Sequence, residues 1–273
     1  MQVGFIGTGS MGSILINALI SQEALQPSQI VASNRTPSKV EALAQVHSGL
    51  QVAYDNKDVA KKSDVLFLCV KPLEYRKALE QMADALTPKH LLITITSPVR
   101  IAELEQYVPC AVARVIPSIT NAAASGLTLL EYGSRVVSQQ REWIVALFSK
   151  ISHPVEIEDQ YLRVASDICS CGPAFMSYIL QQMIQSAVEE TSISRDAAVQ
   201  LTTHMIIGLA DLLKAQHFTL PELQQRVCVP GGITGEGLKA LEKGIPGVFN
   251  DVFKRTHEKF AEDRVEMSKQ FIT

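Results

Sequence analysis

The chain has 273 residues, of which 47% are hydrophobic, and its 25 basic and 28 acidic side chains leave a formal net charge of −3. This length allows one large domain or two of ordinary size, with an extensive buried core. Neither half has the basic excess that binding to nucleic acid or to a membrane surface requires, so we expect no such partner.

Signals for export, membrane insertion and metal binding are not evident in the sequence. No basic residue precedes Arg35, so the N-terminus lacks the charged start of a signal peptide. No apolar run reaches the roughly 18 residues of a membrane span. The five cysteines have neither disulfide-framework nor zinc-ligand spacing. We therefore expect a cytoplasmic protein with reduced thiols and no metal.

The N-terminal stretch QVGFIGTGSMGSILIN runs from a short apolar strand through a glycine-rich turn into an apolar helical pattern. Such a turn presents N–H groups at a helix N-terminus to the pyrophosphate of a dinucleotide. Gly7 makes the tight turn, Gly9 lets the backbone approach phosphate, and Gly12 lets the helix pack on the strand. The alternative is a glycine-rich turn that binds no ligand.

Strand and helix patterns then alternate as far as residue 158. Strands are predicted at 30–33, 51–53, 65–70, 91–96, 111–116, 126–130 and 154–157, and helices at 11–22, from 37, and at 57–62, 72–86, 99–107 and 139–150. Thr36 is the expected N-cap of the second helix, and Asp55 or Asn56 that of the third. The alternation predicts a Rossmann-type, doubly wound sheet over residues 1–158.

From residue 159 the strand patterns stop and only helical patterns remain. Helices are predicted at 161–169, 173–191, 195–215, 220–227, 235–243 and 247–269. Their apolar faces are broader than one helix pair can bury, which indicates burial in an oligomer. We therefore predict an α/β protein in which an all-helical domain, 159–273, follows the nucleotide-binding domain; the resemblance described below implies that this domain serves dimerisation and substrate binding.

The end of the second strand indicates which dinucleotide is bound. NAD-binding versions of this fold carry an acidic residue there, on the ribose hydroxyls. Here the segment reads Ser33-Asn34-Arg35-Thr36, with no acid. A guanidinium pairs well with a 2′-phosphate, so NADP(H) is favoured over NAD(H). The alternative is that Arg35 is a solvated surface residue.

Five motifs across both predicted domains resemble those of the pyrroline-5-carboxylate reductases, which make proline from its cyclic imine. They are IGTGSMG, Cys69–Pro72 like the family's AVKP, Arg114–Pro117 like its RVMP, Cys171–Phe175 like its SGPAY, and Pro230–Thr234 like its PGGTT. Longer stretches, VARVIPSITN and SCGPAFMSY among them, are similar to the late-competence-operon branch of this family.

The resemblance implies an assignment of site residues. The cofactor would be bound by Gly7, Thr8, Gly9, Ser10, Met11, Asn34, Arg35, Thr36, Asn56, Val70, Lys71, Pro72, Thr96 and Ser97. The substrate would be bound by Ser118, Val229, Gly231, Gly232 and Thr234. Thr234 is the candidate catalytic residue, because its hydroxyl can hydrogen-bond the imine nitrogen; the alternative is that it caps the following helix.

The resemblance also implies the reaction and the assembly. Hydride would pass from the nicotinamide to the C=N carbon of a small cyclic imine acid, the protein supplying position and electrostatics. A homodimer or larger homo-oligomer would form through the helical domain, with the active site between the two domains.

Departures from the family pattern concentrate in the substrate loops. The family's MPNTP reads IPSIT here, so Ser118 replaces an amide, and Val229 and Ile233 replace hydroxyl residues beside PGG. Each lost hydrogen bond to a charged group removes about 1.5–3 kcal/mol. Cys171 replaces a serine at a helix start, either as a buried small side chain or as a reactive thiolate.

Three functions stay open on the sequence. The first is an NADPH-dependent imine reductase acting on pyrroline-5-carboxylate or a related compound. The second is a reductase of a different small imine or carbonyl compound, which the altered loops allow. The third is a dinucleotide-binding regulatory protein with weak turnover, linked to competence.

Overall fold

The computed structural model describes residues 1–271. Within that range eight strands form one sheet: β1 (Val3–Ile6), β2 (Ile30–Ser33), β3 (Gln51–Val52), β4 (Val65–Leu68), β5 (Leu91–Thr94), β6 (Ala111–Ile116), β7 (Leu127–Tyr132) and β8 (His153–Glu156). Their order is β3-β2-β1-β4-β5-β6-β7-β8, and every neighbouring pair is parallel except β6 and β7. The predicted Rossmann-type sheet is confirmed.

Helices connect the strands and then make up the rest of the described chain. Those between strands are α1 (Ser10–Ser21), α2 (Pro37–Val46), α3 (Asn56–Lys62), α4 (Tyr75–Met82), α5 (Ile101–Tyr107) and α6 (Ser138–Phe148). Those that follow are α7 (Leu162–Ser166), α8 (Gly172–Glu190), α9 (Arg195–Lys214), α10 (Leu220–Val227), α11 (Ile233–Gly244) and α12 (Val248–Phe271). The all-helical character of the C-terminal region is confirmed.

Several predicted boundaries move for local physical reasons. The strand predicted to Val70 ends at Leu68, because a 3-10 turn over Pro72–Glu74 precedes α4 and proline has no N–H to donate. The helix predicted over 161–169 is α7 followed by one π-helical turn, Asp167–Cys171. Helix α11 begins two residues earlier than predicted.

The N-cap predictions are confirmed for the second and third helices. Thr36 occupies the N-cap position of α2, although its side chain makes no capping hydrogen bond, and Pro37 is the first helical residue. Asp55 is the N-cap of α3, where its carboxylate accepts a hydrogen bond of 2.6 Å from the Asp58 backbone N–H. Asn56 is therefore the first helical residue, and its side chain is not required for capping.

The core lies on both faces of the sheet because successive strand residues point to opposite sides. On one face Phe5 and Phe67 stack with their ring centroids 4.8 Å apart, among residues of α1, α2 and α6. On the other face Leu66 and Leu68 pack against α3, α4 and α5. Strands buried on both faces read as continuous apolar runs, as β4 does.

The strand order reverses at β1, which lies between β2 and β4. From β1 the chain crosses to β2 and β3 on one side, and then to β4 and β5 on the other. Ligands of doubly wound sheets bind in the crevice outside the carboxyl ends of the strands at such a switch point. We therefore expect a ligand site among the residues that follow β1, β2 and β4.

By its internal contacts the chain divides into two compact units. The first comprises Met1–Pro173 and the chain from Arg255, and the second comprises Ala174–Lys254. The C-terminal part of α12 thus belongs with the sheet: Met267 is 1% exposed in the core, and the Ser268 hydroxyl donates to the Glu103 carboxylate at 2.7 Å. The predicted boundary between residues 158 and 159 marks where strand patterns stop, and it stays a prediction.

The second unit carries many exposed large apolar side chains. Among them are Met176, Tyr178, Ile179 and Met183 on α8, and Val199, Leu201, Met205 and Ile207 on α9. Contiguous apolar surface of this kind marks an interaction site in a folded protein. None of the helices in residues 1–271 combines the length and apolar character needed to cross a membrane.

We expect Met267→Ala to destabilise the nucleotide-binding unit by about 2–5 kcal/mol, because it leaves a cavity in a packed core. The matched control is Val265→Ala on the same helix, where the side chain is 60% exposed and the change should stay within about 0.5 kcal/mol. Denaturant unfolding followed by the fluorescence of Trp143, which packs against the sheet core, measures both. Equal stability of the two variants would contradict the assignment of this helix segment to the first unit.

Candidate functional site

The turn after β1 has no room for side chains at two of its glycines. Gly7 has φ of +98°, in the region that glycine adopts at little cost, and its N–H donates to the Ser33 carbonyl at 2.9 Å. A Cβ on Gly12 would lie 2.3 Å from the Gly7 carbonyl oxygen. These contacts hold the first turn of α1 directly against the end of β1.

Gly9 differs, because it is open. It is the N-cap of α1, and no heavy atom lies within 4 Å of the position that a Cβ would take. The free N–H groups of the first turn carry a partial positive charge, and that turn holds no acidic residue. Ser10 is exposed and Met11 half-buried there. The space beside Gly9 therefore leaves this helix N-terminus open to an anion.

The loop after β2 is held in shape by its own amide. Asn34 donates from Nδ2 to the Thr8 hydroxyl at 2.7 Å, and its Oδ1 accepts from the Thr36 N–H at 3.0 Å. The Ser33 hydroxyl donates to Oδ1 of Asn56 at 2.7 Å. Asn34 therefore ties the loop to the phosphate turn, and the Arg35 side chain, 81% exposed, projects beyond it.

A cleft of about 450 Å³ lies between the phosphate turn and α2. Gly9, Ser10 and Ser13 line it on one side and Lys39 on the other. Lys39 is the third residue of α2, so it brings a cation to this cleft. The sequence analysis did not single out Lys39, and no sequence motif marks it.

The buried side chain of Tyr75 holds the segment after β4 in place through hydrogen bonds. The Tyr75 hydroxyl donates to the Leu68 carbonyl at 3.1 Å and is hydrogen-bonded with the Thr94 hydroxyl at 2.8 Å. Burial raises the pKa of Tyr75, so it stays neutral and keeps its proton for this bond. The predicted cofactor residues Val70, Lys71 and Pro72 are thereby fixed beside β5.

Two further predicted residues follow β5. Thr96 and Ser97 are half-buried, and the Thr96 N–H donates to the Thr94 hydroxyl at 3.4 Å. Every residue predicted to bind the cofactor thus follows the carboxyl end of a strand, or begins a helix next to one, within a single unit.

The side chain of Ser118, a predicted substrate residue, is buried and hydrogen-bonded within the chain. It is 1% exposed, and its hydroxyl donates to the Cys169 carbonyl at 2.9 Å while accepting from the Thr120 hydroxyl at 2.9 Å. The Ser170 hydroxyl donates to the Pro117 carbonyl at 2.9 Å. These bonds fasten the loop after β6 to the π-helical turn, so the Ser118 hydroxyl already has its partners within the chain.

Two other groups near this loop are a buried arginine, Arg114, and a half-buried thiol, Cys171. Arg114 is 1% exposed and donates to the Glu131 carboxylate at 2.6 Å and to the Val99 carbonyl. Burial raises the pKa of the Cys171 thiol. The π-helical turn that contains Cys171 continues directly into α8, so the thiol does not lie at a free helix N-terminus. The reactive-thiolate alternative for Cys171 therefore has no support here.

The predicted substrate loop lies in the second unit, at the start of α11. Gly231 has φ of +73°, and Gly232 is the N-cap, its N–H donating to the Val229 carbonyl at 2.9 Å. The alternative reading of Thr234 as N-cap is wrong, because Thr234 is the second helical residue. The N–H groups available to a carboxylate are those of Ile233 and Thr234, ahead of the helix's own hydrogen bonds.

Comparison with known proteins agrees with this site. Residues 2–98 match the family described as NADP oxidoreductase coenzyme F420-dependent, and residues 159–263 match pyrroline-5-carboxylate reductase dimerisation. The chain is 46% identical over 271 residues to ComE operon protein 4 of Bacillus subtilis, covering 99% of both. It is 28% identical over 270 residues to pyrroline-5-carboxylate reductase 3 of Bacillus subtilis, covering 98% of this chain and 99% of that protein.

The same fold occurs in solved structures. The crystal structure of Plasmodium falciparum pyrroline carboxylate reductase with NADP bound superimposes with a TM-score of 0.83 at 23% identity, over 98% of each chain. The matched family is one of NADP oxidoreductases, which agrees with the expected NADP(H) class. The chain belongs to the pyrroline-5-carboxylate reductase family.

Two glycine substitutions should separate binding from folding. Gly9→Ala places a methyl group where phosphate approaches; losing one hydrogen bond to a charged group, about 1.5–3 kcal/mol, weakens NADPH roughly tenfold to hundredfold. Gly12→Ala overpacks the helix–strand contact and lowers stability by about 1–3 kcal/mol. Calorimetric titration and thermal unfolding of each variant check this. Unchanged NADPH affinity in Gly9→Ala would contradict the phosphate assignment.

Proposed function

We propose that this protein reduces the C=N bond of a small cyclic imine acid of the pyrroline-5-carboxylate type, using NADPH. The observation that carries the proposal is the phosphate turn, where Gly7 and Gly12 press α1 against β1 and Gly9 leaves the helix N-terminus open. NADPH, when bound, supplies the hydride. The chain's own residues bind and orient the two reactants.

In this proposal each predicted cofactor residue of the first unit has a role. The N–H groups at Gly9, Ser10 and Met11 bind the pyrophosphate, and Thr8 shapes the turn through Asn34. Arg35 pairs with the 2′-phosphate, and Lys39 lines the cleft beside the phosphate turn. The contacts of the ribose and nicotinamide are residues Asn56, Val70, Lys71, Pro72, Thr96 and Ser97.

The substrate half rests on the start of α11. A carboxylate is bound by the N–H groups of Ile233 and Thr234, where the helix dipole favours negative charge. The left-handed Gly231 and the N-cap Gly232 turn the chain into this helix. The Thr234 hydroxyl donates a hydrogen bond to the imine nitrogen, which polarises the C=N bond toward hydride. The nitrogen takes up a proton from water as the hydride adds to carbon, so the product is the cyclic amine.

One observation favours a second candidate, a dinucleotide-binding protein with weak turnover. Val229 and Ile233 stand where the family carries hydroxyl residues, and their side chains are 59% and 93% exposed. Neither can donate a hydrogen bond to a carboxylate. The loss of two such donors weakens substrate binding on the order of a hundredfold or more, at about 1.5–3 kcal/mol for each.

We also propose that this chain forms a homodimer or larger homo-oligomer. The matched dimerisation family covers residues 159–263. The exposed apolar side chains of α8 and α9, with Leu201 at 64% and Tyr178 at 63%, need a partner to bury them. A second copy of this chain offers the same surface.

The test is a steady-state assay of purified protein with NADPH and pyrroline-5-carboxylate, followed at the nicotinamide absorbance. We expect turnover, and we expect Val229→Ser to lower KM on the order of tenfold, since it restores a hydroxyl beside the carboxylate. Val229 is 59% exposed, so the variant should fold. Val265→Ser, at 60% exposure on α12, is the matched control and should change nothing.

Two results would contradict the proposal. Turnover thousands of times below that of a standard reductase, with NADPH binding retained, would favour the weak-turnover candidate. A KM that Val229→Ser leaves unchanged would show that this loop does not bind the carboxylate.

A further inference from the structure

The Arg35 guanidinium already has a partner, the Glu74 carboxylate. Arg35 follows β2, and Glu74 ends the 3-10 turn that follows β4. Since β1 lies between those strands, β2 and β4 are about 10 Å apart, two strand spacings. The ion pair therefore joins the segments that follow the two strands on either side of β1.

Glu74 is the more firmly placed member of the pair. Its side chain is 36% exposed, against 81% for Arg35. It directly precedes Tyr75, whose buried hydroxyl is fixed by the Leu68 carbonyl and Thr94. From the other side the Gln270 amide donates to the Pro72 carbonyl at 3.5 Å, at the start of the same 3-10 turn. The carboxylate is thus held at a defined position beside the crevice.

We propose that Glu74 competes with the 2′-phosphate of NADP(H) for Arg35 and so tunes how strongly this chain prefers NADP(H) over NAD(H). The proposal rests on the function proposed above. A guanidinium that turns to a 2′-phosphate gives up its carboxylate partner, because both anions use the same fork of N–H donors. NAD(H) carries a hydroxyl at that position, which does not displace a carboxylate, so the ion pair persists beside it.

The proposed competition determines whether each substitution should strengthen or weaken cofactor binding. Glu74→Gln removes the competing charge and leaves the shape of the side chain nearly unchanged. NADPH should then bind about two- to fivefold more tightly, the range expected for an exposed ion pair, and NADH should change less than about 1.5-fold. Arg35→Ala should weaken NADPH far more than NADH. In the Arg35→Ala background, Glu74→Gln should have no effect on either cofactor.

The experiment is fluorescence titration of NADPH and NADH into the full chain and the three variants, at low ionic strength, where exposed charges are least screened. Glu80→Gln is the matched control. It removes an equal charge from an exposed ion pair with Arg76 on α4, and it should change NADPH affinity by less than about 1.5-fold.

The outcomes separate this inference from the proposed function. Tighter NADPH binding in Glu74→Gln that disappears in the double variant supports the competition. Unchanged or weaker NADPH binding, an equal gain for NADH, or a gain that persists without Arg35 overturns the inference alone. A wild-type chain that fails to bind NADPH overturns both the proposed function and this inference.

Discussion

The contact between Gly12 and the Gly7 carbonyl is the constraint on which the nucleotide site depends. With 2.3 Å between that oxygen and a hypothetical Cβ, only glycine allows α1 to lie so close to β1. The helix N-terminus is thereby aimed at the switch point of the sheet, where anions are favoured. The Asn34 amide then ties the β2–α2 loop to Thr8, and the Ser33 hydroxyl ties the end of β2 to Asn56 of α3, each through a hydrogen bond of 2.7 Å.

The predicted cofactor residues and the predicted substrate loop lie in different units of the chain. The first unit carries the predicted cofactor residues on rigid strand ends, supported by Tyr75 beneath and by the C-terminal part of α12. The second unit carries the loop at Gly231 and Thr234 on a largely exposed helix. The cofactor turn keeps the family's residues, whereas hydrophobic residues replace hydroxyls at Val229 and Ile233.

Sequence reasoning worked where local chemistry decides the structure. The glycine turn, the Thr36 cap and the apolar run of β4 follow from backbone sterics, capping and periodicity, and all are found. It did not anticipate the buried hydroxyl of Ser118, the support from Tyr75 or the Arg35–Glu74 pair, which join residues 51, 19 and 39 positions apart. Such contacts depend on how distant segments pack, and no local pattern encodes them.

The central claim is that this chain binds NADP(H) through an open helix N-terminus and a 2′-phosphate contact at Arg35. Calorimetric titration of the wild-type chain with NADPH and with NADH tests it most directly. The account predicts that NADPH binds at least about tenfold more tightly, since one guanidinium–phosphate pair contributes roughly 1.5–3 kcal/mol. Equal affinities for the two cofactors, or no binding of NADPH, would contradict it.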